Sequence, residues 1–209
     1  MLHEVKELIG SSVMATDGEM GSVQTLLFDD RSWTICYLVV DVGTWLKRRA
    51  VVLPVTALVL PDWSKKYFSV SLTEDQVRDS PDVDTEKPVS RQQEIAMEEY
   101  WGKMVYGVSS EMGLRAQDPT RKKYPVRTQE DPDLRSAWRL IDYEVWATDG
   151  RIGSLEGLIM DEASWHLGYL DVKAGDWLFN RSVLIPTGWV KSVFWADRRV
   201  NLHHSRQGI

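Results

Sequence analysis

The chain has 209 residues, of which 43% are hydrophobic and 27% charged, and its formal net charge is -6. This composition excludes a disordered, a collagen-like or a disulfide-stapled small protein, and the acidic balance argues against a nucleic-acid-binding protein. The single cysteine and the polar amino-terminal residues predict a cytoplasmic protein. We expect no membrane insertion, because the apolar runs are far shorter than the roughly 20 residues of a spanning helix.

The first 70 residues follow the two-residue periodicity of β-strands. A strand at 13–16 leads into Asp17-Gly18, a pair that favours a tight hairpin, and a second strand follows at 21–29. Further strands are predicted at 35–41, 49–54, 57–60 and 67–71. Gly21 is expected to permit a bend or a close backbone approach. Small antiparallel units of this kind remove their free edges by curling into a barrel.

The segment at 81–133 has a different sequence pattern and is predicted to connect two domains. Just before it, Thr73 and Gln76 have the spacing of a capping box and predict a short helix. A second capping signature at 90–93 predicts a helix at about 90–101, which ends near Gly102. Residues 107–133 contain glycine, two Asp-Pro pairs and a basic cluster at 121–127, and are interpreted as a linker.

The chain also repeats itself. Residues 15–22 are ATDGEMGS and residues 147–154 are ATDGRIGS, and the offset of 132 holds without a gap for about forty residues, roughly half of them identical. A shared hydrophobic pattern alone would not retain the pairs Trp33/Trp165 and Tyr37/Tyr169 at fixed spacing. We therefore predict an internal duplication, with repeats at 1–80 and 134–209. The second repeat shows no equivalent of the two predicted helices.

Several of these segments together carry a resemblance to a known family. Leu8-Ile9-Gly10, the run ATDGEMGSV, the strand at 37–43 and Val51-Val52-Leu53-Pro54 resemble the PRC-barrel family. This family includes the cytoplasmic part of the photosynthetic reaction centre H subunit and the carboxy-terminal domain of the ribosomal RNA maturation factor RimM. Residues 72–94 are similar to the tails of stand-alone bacterial members.

The resemblance implies a mostly β protein with two small PRC-type β-barrels and short helices in the connecting segment. It also implies a docking module, since the family has no common catalytic residues. The membrane helix of the H subunit and the amino-terminal barrel of RimM have no counterpart in this sequence, so the roles of those two proteins are not carried over.

A search for catalytic chemistry predicts no catalytic, cofactor-binding or metal-binding residues, and hence no enzyme. Cys36 lies in mid-strand and is expected to be a buried, unreactive thiol. His203-His204 would point to opposite faces of a strand, which disfavours a shared metal ion. Asp29-Asp30 and Asp161-Glu162 fit polar turns, the favoured interpretation, or a weak site for a hard cation.

An apolar loop provides the candidate interface. Trp45 and Trp177 each follow a glycine by two residues, in a loop that a small barrel would not fully bury. Exposed aromatic clusters commonly mark interfaces. The predicted interface, between two copies within or between chains, consists of Trp45, Leu46, Trp177, Leu178 and Phe179.

These observations favour a non-enzymatic binding or adaptor protein that docks to a protein complex and associates with itself, as a homodimer or by pairing of its two barrels. An alternative is a small-ligand, cofactor or electron-transfer-associated protein with a site between the barrels. A lesser alternative is an RNA-associated factor that uses residues 121–127, although a solvated linker is the preferred interpretation of that basic cluster.

Overall fold

The computed structural model describes residues 1–43, 49–62, 65–80, 96–97, 99–101, 134–175 and 181–209, and this part of the chain is mostly β. It forms two compact units. The first unit contains Glu7–Ser136, and the second contains Met1–Lys6 together with Ala137–Ile209. None of the helices in the described ranges is both long and apolar enough to cross a membrane.

The strands follow each other in the same order in the two halves of the chain. The first half contains β1 (Leu2–Glu4), α1 (Val5–Leu8), β2 (Ser12–Met14), β3 (Glu19–Asp29), β4 (Thr34–Asp41), β5 (Ala50–Pro54), β6 (Leu58–Asp62), β7 (Tyr67–Val70) and α2 (Glu74–Arg78). The second half contains β8 (Leu134–Ser136), β9 (Glu144–Ala147), β10 (Gly150–Asp161), β11 (His166–Ala174), β12 (Arg181–Pro186), β13 (Val190–Phe194) and β14 (Arg199–Leu202). Short 3-10 turns lie at Val55–Ala57, Ala137–Leu140, Thr187–Trp189 and Arg206–Gly208.

The sheet of the first unit has the strand order β5-β4-β3-β2-β7-β6, and β8 pairs with the end of β3. The sheet of the second unit has the order β12-β11-β10-β9-β14-β13, and β1 pairs with the end of β10. In each unit one pairing is parallel, β2 with β7 and β9 with β14, while the other pairings are antiparallel. The two predicted repeats therefore have the same strand order, and each begins with a strand that belongs to the compact unit of the other.

The described pairings do not close either sheet into a ring, so the prediction of closed barrels is wrong for this part of the chain. The ends of the first sheet are β5 and β6, and those of the second are β12 and β13. Between each pair of end strands a proline, Pro54 or Pro186, is followed by a 3-10 turn. Proline cannot donate a ladder hydrogen bond, and the turn redirects the chain before the next strand begins.

Each unit has its own apolar core on the inner face of its curved sheet. In the first unit the core is built around Leu26, Leu38, Leu53 and Phe68, all at most 2% exposed. The residues 132 positions further on, Leu158, Leu170, Ile185 and Val200, are at most 1% exposed in the second unit. Buried and half-buried positions alternate along β7 and β14, as the two-residue periodicity requires. Consecutive residues at the end of β3 and in the middle of β4 are instead all buried.

Two glycines allow neighbouring strands to approach closely, as the sequence predicted for Gly21. A Cβ atom on Gly21 would lie 1.9 Å from the carbonyl oxygen of Asp41, and one on Gly153 would lie 1.8 Å from that of Lys173. Both glycines lie next to an irregularity in the strand register. A side chain at either position would push the paired strands apart.

The hairpin turn of each half is linked to the segment that follows the last strand. Asp17 accepts a hydrogen bond of 2.9 Å from the Glu74 backbone at the start of α2, whose predicted capping box between Thr73 and Gln76 is confirmed. Asp149 accepts one of 2.8 Å from the Arg206 backbone. The second repeat, for which the sequence predicted no equivalent of this helix, has a short 3-10 turn at the corresponding position.

The second predicted helix is described in part. Residues 96–97 and 99–101 are helical. Met97 and Trp101 are fully buried in the first unit, and the hydroxyl of Tyr100 donates a hydrogen bond of 2.6 Å to the Gln76 carbonyl in α2. Burial, followed by the negative charge of Asp79, raises the pKa of Tyr100. This helix therefore lies beside α2 and shares its buried environment.

Candidate interaction surface

The predicted interface residues Trp45, Leu46, Trp177, Leu178 and Phe179 lie outside the described residues, as does the basic cluster at 121–127. Their proposed role stays a prediction. The described strands and turns carry a different set of candidate interaction residues.

The acidic pairs form turns. The Asp29 carboxylate accepts hydrogen bonds from the backbones of Arg31 and Ser32, at 2.9 and 3.0 Å. Asp161 accepts equivalent bonds from the backbone and hydroxyl of Ser164, at 3.0 and 2.7 Å, and these bonds lower its pKa. In both turns the aspartate side chain bonds the backbone just before a tryptophan, Trp33 or Trp165. This pattern supports the polar-turn interpretation.

Other candidate groups are also placed in ordinary environments. Cys36 is half-buried rather than buried, and its thiol lies 3.5 Å from the Thr34 carbonyl. The ring of His204 stacks on Trp189, with 4.1 Å between centroids, while His203 is exposed. Among the described residues no three acidic, histidine or cysteine side chains are grouped so that they could hold a metal ion.

Exposed apolar side chains are concentrated in the second unit. In the described ranges, the large apolar residues with high exposure are Met1, Leu2, Trp138, Leu184 and Phe194 in the second unit and Val59 in the first. Trp138 and Leu184 are 54% and 53% exposed. Among the described residues, the second unit therefore carries most of the exposed large apolar side chains, a feature that is common at binding surfaces.

The outer face of β9, β14 and β13 carries an arginine between two aromatic rings. The guanidinium of Arg199 lies 5.6 Å from the ring centre of Trp146 and 5.4 Å from that of Phe194. Trp146 and Arg199 face away from the core, because their strand neighbours Val145 and Val200 are fully buried. Phe194 is 42% exposed. We call Trp146, Phe194 and Arg199 the arginine–aromatic patch.

The polar neighbours of this patch fix its orientation. The indole nitrogen of Trp146 donates a hydrogen bond of 3.0 Å to Glu144, and Arg151 forms an ion pair of 3.0 Å with the same carboxylate. Tryptophan and arginine are the residues most enriched among those that dominate binding energy at protein interfaces. A ring whose orientation is restrained by a hydrogen bond loses less conformational freedom when a partner covers it.

The family comparison bears on the first half of the chain. Residues 2–77 match the PRC-barrel domain family. The match runs from β1 into α2, so the resemblance seen in the sequence is confirmed for these residues. A comparison with curated proteins finds no match.

The PRC-barrel match does not extend to the arginine–aromatic patch. At the offset of 132, the positions of Trp146, Phe194 and Arg199 correspond to Met14, Asp62 and Tyr67 of the matched segment. The patch was not predicted from the sequence, because its residues are not shared by the two repeats. The signal that could have found it is the reverse: outward strand positions at which the residue type differs between the two repeats.

The end of β10 that pairs with β1 is polar. Glu162, just after β10, lies 2.8 Å from the His3 ring, and the hydrogen bond with His3, followed by that with the terminal amine, lowers its pKa. The backbone of Glu162 donates a hydrogen bond of 3.0 Å to the Met1 carbonyl. This edge therefore binds β1 through charge-assisted contacts as well as through the strand ladder.

Proposed function

We propose that this protein is a non-enzymatic adaptor with two PRC-barrel copies, which docks to a protein complex through its second unit and associates with itself. The observation that carries the proposal is the arginine–aromatic patch on an exposed strand face, in the unit that also exposes Trp138 and Leu184. Such a surface supports recognition of a macromolecule rather than chemistry on a small substrate.

The second PRC-barrel copy is part of this proposal. It is supported by the strand order common to both units and by backbone hydrogen bonds that recur at the offset of 132. One example is the bond from Gly10 to the Val23 carbonyl, 2.8 Å, which recurs from Asp142 to Leu155 at 2.8 Å. Both donor residues have positive φ angles, 79° and 66°. Recurrence of an uncommon backbone conformation favours duplication over a chance likeness.

The test is affinity capture from the native host with the full chain as bait. The double variant Trp146→Ser/Phe194→Ser removes a half-buried and an exposed ring from outward strand positions, so we expect it to fold and to lose the partner. Val59→Ser is the matched control, because Val59 is 46% exposed on β6 of the other unit. Equal capture by all three proteins would refute the patch as the docking surface.

Self-association and the absence of catalysis need separate measurements. Light scattering coupled to gel filtration compares the solution mass with the chain mass of 24.0 kDa, and a purely monomeric protein would refute association between chains. A thermal-shift screen with metabolites and cofactors is expected to give no stabilisation. A reproducible shift from one compound would instead favour the ligand-binding alternative, because a ligand that binds only the native state stabilises it.

A further inference from the structure

The first strand of each predicted repeat pairs outside its own repeat. β8 pairs antiparallel with the end of β3, with Ser136 opposite Leu27 and Leu134 opposite Asp29. β1 pairs in the same way with the end of β10, with Glu4 opposite Ile159 and Leu2 opposite Asp161. Adding 132 to the β3 positions gives the β10 positions, and subtracting 132 from the β8 positions gives the β1 positions. The two sets of pairs therefore have the same register, and each first strand pairs with the other repeat.

Side chains hold β8 firmly on the first unit. Leu134 is 1% exposed. The hydroxyls of Ser136 and Thr25 are buried and lie 2.8 Å apart. The guanidinium of Arg135 lies 3.5 Å from the carboxylate of Asp30, and their side chains are only 16% and 7% exposed. The side chains of β8 thus add specificity to the backbone hydrogen bonds of the strand ladder, through apolar burial, a buried hydrogen bond and a shielded ion pair.

The counterpart β1 is held mainly by polar contacts. Leu2 is 54% exposed, whereas the equivalent Leu134 is buried. In place of the buried leucine, His3 contacts Glu162, and the terminal amine lies 3.2 Å from the same carboxylate. The two acceptor edges therefore use the same register with different side-chain chemistry, which distinguishes the two strands from each other.

The covalent order of the chain makes the exchange reciprocal. β1 is followed directly by α1 and β2, which lead into the first unit, and β8 is followed directly by the turn Ala137–Leu140 and β9, which lead into the second. Each first strand is thus joined to one unit and paired in the other. An extended segment that adds to a sheet edge is a general mode of protein recognition, in which the backbone supplies affinity and side chains supply specificity.

We infer that the ends of β3 and β10 are strand-acceptor sites, each of which binds the first strand of the other PRC-barrel copy. The occupant of the β3 site is the segment Leu134–Ser136, supplied by the same chain. The inference rests on the proposed duplication and deepens it, because it names the contact by which the copies associate. It is independent of the arginine–aromatic patch.

The test uses cysteine pairs in the full chain, with Cys36→Ser as background. The pair Thr25→Cys/Ser136→Cys places two thiols where two hydroxyls lie 2.8 Å apart. The matched control is Glu4→Cys/Thr25→Cys, because Glu4 is the counterpart of Ser136 and would lie beside Thr25 if each copy kept its own first strand. After oxidation of the folded protein with oxidised glutathione, disulfides are identified by non-reducing electrophoresis and peptide mass analysis.

We expect the pair at 25 and 136 to oxidise within one chain and the pair at 4 and 25 to stay reduced. Oxidation between two chains at 25 and 136 would also support the acceptor site, with a second copy as the source of the strand. Ready oxidation of the control pair, or none of the pair at 25 and 136, would overturn the inference. Circular dichroism before oxidation establishes that both variants are folded. Affinity capture by the same variants reports separately on the adaptor proposal.

Discussion

Replacing Gly21 with alanine should destabilise the protein more than almost any other addition of one methyl group. The new Cβ atom would lie 1.9 Å from the Asp41 carbonyl oxygen, and real Cβ contacts do not fall below 3.0 Å. The two strands must therefore separate by about 1 Å at this position. Because the obstacle is backbone rather than the end of a flexible side chain, it cannot be relieved by a rotamer change.

The magnitude follows from two contributions. Overpacking of a fitted site costs about 1–3 kcal/mol, and the separation weakens one or two ladder hydrogen bonds between β3 and β4, each contributing about 0.5–1.5 kcal/mol. We expect a loss of about 3 kcal/mol in the free energy of unfolding. Gly153→Ala should behave similarly, because its Cβ would lie 1.8 Å from the Lys173 carbonyl oxygen.

Urea unfolding followed by tryptophan fluorescence measures these losses. The matched control is Gly157→Ala, whose Cβ would have its nearest neighbour, Asp171 Cβ, at an ordinary 3.5 Å. We expect this variant to stay within about 1 kcal/mol of the parent. If Gly21→Ala and Gly157→Ala had the same stability, close strand approach would not be the reason for glycine at position 21.

Two further predictions concern the exchanged strands. Leu134→Asp should lower the free energy of unfolding by about 3 kcal/mol or more, because it buries a carboxylate where leucine is 1% exposed. Leu2→Asp should lower it far less, because Leu2, the counterpart of Leu134, is 54% exposed. Urea unfolding of both variants tests this. The lowered pKa of Glu162 means that its contacts stabilise the fold at neutral pH and are lost as the pH falls through that pKa. Glu162→Gln should therefore flatten the acid limb of a stability–pH profile, and an unchanged limb would contradict the role of the His3 contact.

The sequence predicted the individual strands well, because their pattern is local. The Asp-Gly hairpin, the mid-sheet strand that became β4 and the capping box at Thr73 all depend on residues within a few positions of each other. The close approach at Gly21 was also predicted, since a glycine inside a strand pattern commonly marks a bulge or a place where two backbones meet. These features needed no knowledge of the rest of the fold.

The features that were missed depend on pairing between distant segments. Three residues are too few to show a strand periodicity, so β1 and β8 could not be recognised, and no local pattern states which edge accepts them. The open sheets were missed for a related reason: the strand that became β5 was predicted, but the direction of the chain after the 3-10 turn is set by packing. The arginine–aromatic patch joins residues from three strands, and only the strand order brings them together.

The two units differ most at β5 and β12, and this difference bears on function. Val52 on β5 is fully buried, whereas Leu184, its counterpart on β12, is 53% exposed. α2 lies beside β5, and its neighbouring helix buries Met97 and Trp101 in the same unit. The corresponding segment of the second unit is the 3-10 turn Arg206–Gly208. Among the described residues, the segment after the last strand thus covers the sheet in the first unit and leaves Leu184 exposed in the second. This difference supports the proposal of docking through the second unit independently of the arginine–aromatic patch.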